Sequence, residues 1–477
     1  MSGNHVNANN QSLSLLKNSH KLAQTSDADK LTTFENQAPA DQQLQKALIA
    51  QNKPEAALEV AERSRSRAFV NLLTRQGLAT NASMASVPPS ITKIKQIAKQ
   101  QNATLVEYSI ITEKIDVNGQ QQPRESELYL WVINPTGEVS FRNIDLKAMQ
   151  QKENTSLSNL IAKNHQLLGV TSNGLKGINK VKGVVESGSL TSSKEQLQKL
   201  YQLLIEPIAD FLPTQPNEHV IFIPQGQLFL VPFAALQDAK GKYLIEKHTI
   251  STAPSIQALD LLYQRQQRVI GVVKDVLIVG NPTMPSVPPQ PGKPSQKLQQ
   301  LPGAEQEAKA IAQLFNTQAL TGDAATETAV VQRMSQAKII HLATQGLNKF
   351  QGKDIPGALA LTSSNQDDGW LTSEEILNLN LKADLVVLSS GDTALGRITG
   401  DGVIGLSRSF FAAGVPSVIG SLWCVSDMPT VLLMIEFYQK LRENPDKAAA
   451  LRYAMLETMK KYPNPRDWAA FTLIGLS

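Results

Sequence analysis

Hydrophobic positions in this chain fall into short continuous runs, and two of these runs are each followed by a polar segment. The first run covers 339–343 and is followed by Thr-Gln-Gly; the second covers 385–388 and is followed by Ser-Ser-Gly-Asp-Thr. Short apolar runs bounded by such residues predict parallel strands that are buried on both faces. Open α/β sheets place their chemistry at the carboxyl ends of such strands. We therefore look for a functional site in these polar segments, called here the first tip (344–346) and the second tip (389–393).

Similar apolar runs recur along the chain and alternate with segments of helical periodicity. The runs that predict further strands lie at 104–108, 127–133, 219–223, 275–280, 417–423 and 468–475. A polar, Gln-rich, hairpin-like link is expected between the first two of them. Regular alternation of strands and helices predicts a mainly parallel α/β sheet flanked by helices.

The first 85 residues have a different character. Residues 1–40 are rich in Asn, Gln and Ser, which predicts a polar tail that is disordered or only loosely helical. Residues 41–85 show helical periodicity around a turn at Asn52-Lys53-Pro54. This helix pair is typical of a tetratricopeptide remnant, but a helical lead-in to the next domain explains the pattern equally well. Only one unit is visible, whereas a stable solenoid normally needs at least about three.

The remaining chain divides into two expected α/β halves. The first half covers 90–265, and the second covers 270–477 and carries both tips. Six prolines fall within 281–301, which predicts an exposed loop. A solvated linker and a rigid polyproline recognition segment are both open interpretations of this loop.

Composition excludes several classes of protein. A net charge of +4 spread over 477 residues gives no reason to expect a nucleic-acid or membrane partner. The single cysteine, Cys424, excludes an internal disulfide framework and a Cys-rich metal site. No His/Asp/Glu spacing indicates a metal, and no cofactor is expected. The chain shows neither a signal segment nor an apolar run of the roughly 18–20 residues that span a membrane, so we expect a cytoplasmic protein.

Several short blocks of the second half and of the end of the first half carry a family resemblance when they are taken together. They are Phe-Ile-Pro-Gln-Gly at 222–226 with Leu-Val-Pro-Phe at 230–233, Leu-Pro-Gly-Ala-Glu at 301–305, His-Leu-Ala-Thr at 341–344, Leu-Ser at 388–389 with Asp-Thr at 392–393, and Trp-Ala-Ala-Phe at 468–471. Over roughly 105–475 the chain resembles the CHAT domain family, bacterial relatives of caspases and separase. The resemblance is nearest to cyanobacterial members, which often carry tetratricopeptide repeats upstream. It implies a caspase-like α/β sheet built from two related halves, the first of them degenerate.

The resemblance also implies a cysteine-peptidase centre at the two tips. In active members the first tip is similar to His-x-Ala-Thr-His-Gly, whose second His is the general base. The second tip is similar to Leu-Ser-Ala-Cys-x-Thr, whose Cys is the nucleophile. Matched position by position, the base is replaced by Gln345 and the nucleophile by Gly391. Because an amide does not titrate near neutral pH and glycine has no side chain, the match predicts a pseudoprotease.

Four other residues are candidates for a substitute nucleophile or base: Cys424, Ser389, Ser390 and His341. Strand alternation places His341 on the face of Gln345 but about 13 Å away, which favours a buried, hydrogen-bonded strand residue. The hydroxyls of Ser389 and Ser390 are expected to support the turn. Cys424 ends a strand expected beside 385–388 and is expected to be half-buried. A peptidase with an unconventional nucleophile therefore stays open as the alternative.

Three residues at or near the tips are candidates for holding a peptide: Gly346, Asp392 and Asp401. By position, Gly346 retains the backbone donor of the oxyanion hole in caspase relatives. Either carboxylate could pair with a basic side chain, or it could simply cap a loop. The expected function is a binding or regulatory module for a protein or peptide partner. Engineered replacement of the two catalytic residues is another explanation of Gln345 and Gly391.

Overall fold

The protein was analysed as a computed structural model that describes most of the chain. The described residues are 27–65, 67–75, 88–117, 119–168, 190–269, 271, 273–287, 296–347, 357–390, 397–399, 402–424 and 426–477.

The helices in these residues precede, connect and cover the strands. In chain order they are α1 (Asp27–Ala50), α2 (Pro54–Ser64), α3 (Arg67–Arg75), α4 (Ile91–Gln101), α5 (Leu146–Glu153), α6 (Leu157–Leu167), α7 (Leu190–Leu204), α8 (Leu244–Lys247), α9 (Ile256–Val269), α10 (Pro302–Leu314), α11 (Glu327–Met334), α12 (Ser373–Leu377), α13 (Leu406–Ala412), α14 (Asp427–Glu443), α15 (Lys447–Lys461) and α16 (Pro465–Trp468). Short 3₁₀ helices cover Glu206–Phe211, Gly226–Leu230 and Phe233–Ala235. None of the helices in the described ranges is long and apolar enough to cross a membrane.

The strands fall into one large sheet and three small ones. They are β1 (Ala103–Val117), β2 (Gln120–Ile133), β3 (Val139–Asp145), β4 (His219–Ile223), β5 (Thr249–Thr252), β6 (Asp275–Pro282), β7 (Ser286–Val287), β8 (Gln296–Lys297), β9 (Leu320–Gly322), β10 (Ala337–Ala343), β11 (Gly346–Leu347), β12 (Ala358–Ala360), β13 (Trp370–Thr372), β14 (Leu385–Leu388), β15 (Arg397–Thr399), β16 (Gly402–Ile404), β17 (Ser417–Ser421) and β18 (Phe471–Gly475). The large sheet has the order β3-β2-β1-β4-β5-β18-β17-β14-β10-β6-β9.

Most of the large sheet is parallel, as the alternating pattern predicts. Seven of its ten neighbouring strand pairs are parallel, and the antiparallel pairs are β3–β2, β2–β1 and β17–β18. Helices flank this sheet, so the predicted α/β fold class is confirmed. The last strand, β18, lies between β5 and β17, with Ile474 opposite Thr252 on one side and Val418 on the other. The two predicted halves therefore share a single sheet.

The helical segment before the sheet is docked on it through buried charged side chains. Arg65, between α2 and α3, places its Nε 3.3 Å from Glu107 Oε1 on β1. Its guanidinium also donates to the carbonyl oxygen of Pro224 over 2.7 Å and to that of Tyr108. Since Arg65 is only 5% exposed, these contacts hold α2 and α3 against the middle of β1 and the end of β4.

Glu62, one turn before Arg65, links the same region to α9. Its carboxylate accepts the backbone N–H groups of Ile256 over 2.9 Å and of Gln257 over 3.1 Å, at the first turn of α9. Burial raises the pKa of Glu62, and burial together with the Glu62 charge raises the pKa of Glu107 well above its usual range. Two buried carboxyl groups thus share one guanidinium, which favours a bound proton on Glu107.

Three sequence expectations differ from the structure. Residues 27–40 of the predicted polar tail belong to α1. Their Ala, Gln, Glu and Lys residues are small or polar, but they favour a helix. Residues 1–26 lie outside the described residues. The Gln-rich link between the first two predicted strands is itself strand, because antiparallel pairing of β1 with β2 continues to Val117 and Gln120. Cross-strand contacts such as the ion pair between Arg124 and Glu113 support this polar extension.

The proline-rich stretch, predicted as an exposed loop, is partly packed. β7 and β8 pair antiparallel, and Met284 is buried against Ala358, Ala360 and Trp370. The Trp370 indole donates to the carbonyl oxygen of Ser286 over 3.3 Å. The described parts of this stretch, 283–287 and 296–301, are called here the strap. The strap packs on the small sheet β11-β12-β13 because that sheet offers an apolar face.

Candidate functional site

The two strands that carry the tips are neighbours in the sheet. β10 and β14 pair in parallel, with Ile339 opposite Leu385 and Leu342 opposite Leu388. The pairing reaches the second tip, where the Ser389 N–H donates to the Leu342 carbonyl oxygen over 3.0 Å. Three of the predicted site residues lie outside the described residues: Gly391, Asp392 and Asp401.

Gln345, at the base position, is tied to the strap. Its Nε2 donates to the carbonyl oxygen of Gln299 over 2.6 Å. Its own backbone carbonyl oxygen accepts the Ala360 N–H over 2.8 Å. A second amide side chain anchors the same part of the strap, since Asn281 Oδ1 accepts the Leu301 N–H over 2.6 Å. The side chain at this position therefore joins the first tip to the strap.

Gly346 directs its backbone N–H away from the small sheet. It lies opposite Leu359 in the antiparallel pair β11–β12. The neighbouring pair, Gln345 with Ala360, is hydrogen-bonded, and hydrogen-bonded pairs alternate with non-bonded pairs in an antiparallel ladder. The pair of Gly346 with Leu359 is therefore non-bonded, so the Gly346 N–H points to the open side of β11. An oxyanion-type donor would have this orientation.

His341 lies deep in the sheet, and each of its ring nitrogens is close to a polar side chain. It is fully buried; its Nδ1 lies 3.1 Å from the Tyr438 hydroxyl of α14, and its Nε2 lies 3.0 Å from Glu307 Oε1 of α10. Helix α10 comes this close because β6 has Gly280 at the contact, where a Cβ would fall 2.4 Å from Ala308 Cβ. Burial raises the pKa of Tyr438 well above its usual range. The tyrosine therefore stays a neutral hydrogen-bonding partner of the ring.

The sequence interpretation missed Glu307 as the partner of this histidine. A signal for it exists in the helical periodicity, because Glu307 lies four residues from Gly303 and from Ile311. All three are on the buried face of α10. A carboxylate on an otherwise apolar helix face calls for a buried partner, and His341 provides it.

The candidate substitute nucleophiles occupy different environments. Ser389 and Ser390 are buried, and the backbone carbonyl oxygen of Ser390 accepts the Ser421 hydroxyl of β17. Cys424 follows β17, which does lie beside β14, but it is exposed rather than half-buried. β17 ends at Ser421, and the chain buries Trp423, whose indole donates to the Arg466 carbonyl oxygen over 2.9 Å, before Cys424 reaches the surface.

Four acidic side chains surround the turn that leads into β13. The Glu327 carboxylate accepts the Gly369 N–H over 3.1 Å. Burial, together with the nearby charges of Glu375, Asp367 and Asp368, raises the pKa of Glu327 to about 7. No group of three or more His, Cys, Asp or Glu residues suited to a metal ion occurs in the part of the chain that the structure describes.

Glu327 is expected to make the stability of the protein depend on pH. The folded state keeps the Glu327 proton up to about pH 7, whereas the unfolded chain releases it near 4.5. The contribution of Glu327 to the free energy of unfolding is therefore complete below pH 4.5 and is lost as the pH rises towards 7. When urea unfolding is measured across this pH range, the free energy of unfolding should fall less in Glu327→Gln than in the wild type. The exposed Glu374 supplies the matched control Glu374→Gln, and equal profiles for the two variants would contradict the assignment.

Residues 194–476 match the family model of the CHAT domain, which is more than half of the chain.

The chain belongs to the CHAT domain family.

Tetratricopeptide repeat protein 28 of Mus musculus is 26% identical over 563 residues, covering 95% of this chain and 23% of the relative. The Homo sapiens protein of the same name is 26% identical over 576 residues, covering 95% of this chain and 22% of the relative. The chain thus spans less than a quarter of the length of these relatives.

Solved structures give more distant matches to this CHAT protein. The separase–securin complex of Saccharomyces cerevisiae matches with a TM-score of 0.49 and 13% identity, covering 90% of this chain and 34% of the solved chain. The Arg-specific cysteine proteinase gingipain R matches with a TM-score of 0.36 and 10% identity, covering 68% and 75%. The family predicted from the sequence blocks is confirmed, whereas the cyanobacterial affinity stays a prediction.

Proposed function

We propose that this CHAT domain is catalytically inactive and acts as a protein- or peptide-binding module. The observation that carries the proposal is the role of Gln345. Where an active member needs a free imidazole, this chain has an amide that donates to the Gln299 carbonyl oxygen of the strap. An amide cannot accept a proton from a nucleophile near neutral pH.

The other half of the catalytic pair is also missing. The resemblance to the family motif implies that Gly391 takes the nucleophile position, and glycine offers no nucleophilic atom. His341 is a poor substitute base, because its two ring nitrogens already face Tyr438 and Glu307 inside the protein. Removing one member of such a pair costs on the order of 10⁶ in kcat in a well-studied protease. Here both members are replaced.

Three groups at or near the tips are proposed to bind a peptide. The outward-facing N–H of Gly346 is oriented to donate to a peptide carbonyl oxygen at the open edge of β11. Asp392 and Asp401 are proposed to hold a basic side chain of the same peptide through a charge-assisted pair. A hydrogen-bond donor and carboxylates bind a peptide without cleaving it, which suits a regulatory module.

A peptidase that uses Cys424 is the second candidate function. The exposure of this thiol and its place after β17, next to the strand of the second tip, are the observations that favour it. Ser389 and Ser390 are less suitable because both are buried. The two functions make opposite predictions about turnover.

Incubation of the full chain with fluorogenic peptides ending in Arg, Lys or Asp is expected to give no turnover above buffer. A thiol-reactive probe should label the protein, and Cys424→Ala should abolish the labelling, because Cys424 is the single cysteine. Turnover that Cys424→Ala, Ser389→Ala or Ser390→Ala removes would overturn the proposal in favour of the unconventional peptidase.

A further inference from the structure

Three lysines lie at the amino ends of neighbouring strands, at the edge of the large sheet opposite the tips. The strands are β14, β10 and β6, which pair in parallel in that order. Lys382 comes three residues before β14, Lys338 is the second residue of β10, and Lys274 immediately precedes β6. Neighbouring strands are about 4.8 Å apart, so the first and the last of these positions are separated sideways by roughly 10 Å.

Two arginines of α9 lie next to these lysines. Arg265 Nη2 donates to the Leu381 carbonyl oxygen over 3.3 Å, directly before Lys382 in the chain. Arg268 follows three residues later on the same helix and is exposed. Burial, and then the positive charge of Arg268, lower the pKa of Arg265, so the two guanidinium groups are close enough to repel each other. The five residues that make up this surface are called here the amino-edge patch: Arg265, Arg268, Lys274, Lys338 and Lys382.

The lysines of the patch are not neutralised by the acidic side chains beside them. None of the three forms an ion pair with another residue that the structure describes. Asp384, the neighbour of Lys338 across the strands, is engaged elsewhere: its carboxylate accepts Gln266 Nε2 over 2.8 Å and lies 3.5 Å from Nζ of the buried Lys447. Asp275, next to Lys274, is exposed to solvent. The patch therefore keeps an excess of positive charge, which repels itself unless an anionic partner binds.

We propose that the amino-edge patch binds an acidic, extended segment of a partner protein. This inference goes beyond the proposed function and does not depend on it. Six residues of chain separate Lys338 from Thr344 at the first tip, which is about 20 Å of strand. A partner segment on the patch and a peptide at the tips therefore occupy different places on the molecule.

The chemistry of the patch favours a protein segment over a nucleic acid. An extended segment presents every second side chain on the same side, roughly 6.8 Å apart. Flexible lysine stems can adapt to that spacing, so Asp or Glu at alternate positions would each find a cation. Proteins bind single-stranded nucleic acid with aromatic side chains on which the bases stack, and none of the five residues of the patch is aromatic.

The test measures fluorescence polarisation of a labelled eight-residue peptide that alternates Glu with Ser, titrated with the full chain at low salt. This peptide should bind, and a peptide that alternates Gln with Ser should not. The triple variant Lys274→Gln, Lys338→Gln and Lys382→Gln should weaken binding at least about tenfold, because three charge pairs are lost. Added salt should weaken binding to the wild type, because it screens exposed charges.

A matched triple variant separates the patch from the overall charge of the chain. Lys114 of β1, Lys163 of α6 and Lys240 in the turn before α8 are also exposed lysines. Replacing these three by Gln lowers the formal net charge by three, from +4 to +1, as the patch variant does. The control should bind the Glu-Ser peptide like the wild type. Equal weakening in the two triple variants, or no binding of this peptide to the wild type, would overturn the inference.

A five-nucleotide oligouridine is the second probe, because its four phosphates match the four carboxylates of the peptide. We expect the oligonucleotide to bind more weakly than the peptide. Tighter binding of the oligonucleotide, if the patch variant removes it and the control variant keeps it, would overturn the protein partner in favour of a nucleic acid.

Discussion

The double replacement Gln345→His and Gly391→Cys is expected to give this CHAT domain measurable peptidase activity. β10 and β14 are parallel neighbours whose pairing runs from Ile339 with Leu385 to Leu342 with Leu388, and the resemblance to the family motif puts positions 345 and 391 shortly after their ends. An imidazole and a thiol at these positions would restore the pair that the family motif requires. The histidine would also release the strap, because it removes the amide that donates to Gln299.

The two replacements are expected to work only together. In a nucleophile–base pair, losing either member costs about as much as losing both, so each single variant should stay at the wild-type level. The double variant should exceed them by at least roughly 10³-fold in kcat/KM on peptides ending in Arg or Lys. The measurement is hydrolysis of the fluorogenic panel by the wild type, both single variants and the double variant. Equal activity in all four proteins, with the fold retained, would contradict the inherited geometry.

Replacing Arg65 by Met is expected to cause a large loss of stability. The guanidinium lies next to the Glu107 carboxyl group and donates to the backbone carbonyl oxygens of Pro224 and Tyr108. Methionine fills the space but leaves these buried acceptors without a donor. Breaking a buried ion pair by removing one partner costs roughly 3–5 kcal/mol. Urea unfolding followed by tryptophan fluorescence measures the change in the free energy of unfolding.

Arg63→Met is the matched control for this variant. Arg63 lies two residues earlier and pairs with Asp41 over 2.8 Å, but its side chain is 40% exposed. Exposed ion pairs contribute at most about 1 kcal/mol, so this control should unfold almost like the wild type. Similar losses in the two variants would show that the buried contacts of Arg65 do not hold α2 and α3 on the sheet.

The sequence predicted the fold class because it follows from local patterns, and the family resemblance implied that the two tips lie together. The apolar runs at 339–343 and 385–388 are long enough to specify buried parallel strands, and the blocks around them specify the family. The position of β18 between β5 and β17 does not follow from such patterns. It depends on how the two halves pack against each other, and no single segment of the sequence carries a signal for that contact.

The candidate site was predicted only in part, because some of its contacts also join segments that are far apart in the chain. Motif spacing identified Gln345, but the contact of its amide with Gln299 depends on a proline-rich stretch that pattern alone treats as solvent-exposed. The strap packs because Met284 lies in one buried cluster with Trp370, which comes 86 residues later in the chain.

The most direct test of the central claim combines binding and turnover in one sample of the wild-type full chain. Labelled eight-residue peptide libraries are titrated into the protein. The bound peptides are recovered after prolonged incubation, and their masses are measured by mass spectrometry. A binding module without peptidase activity predicts saturable binding and peptides of unchanged mass. Saturable binding with cleaved peptides, in a reaction that a Cys424→Ala variant no longer performs, would contradict it.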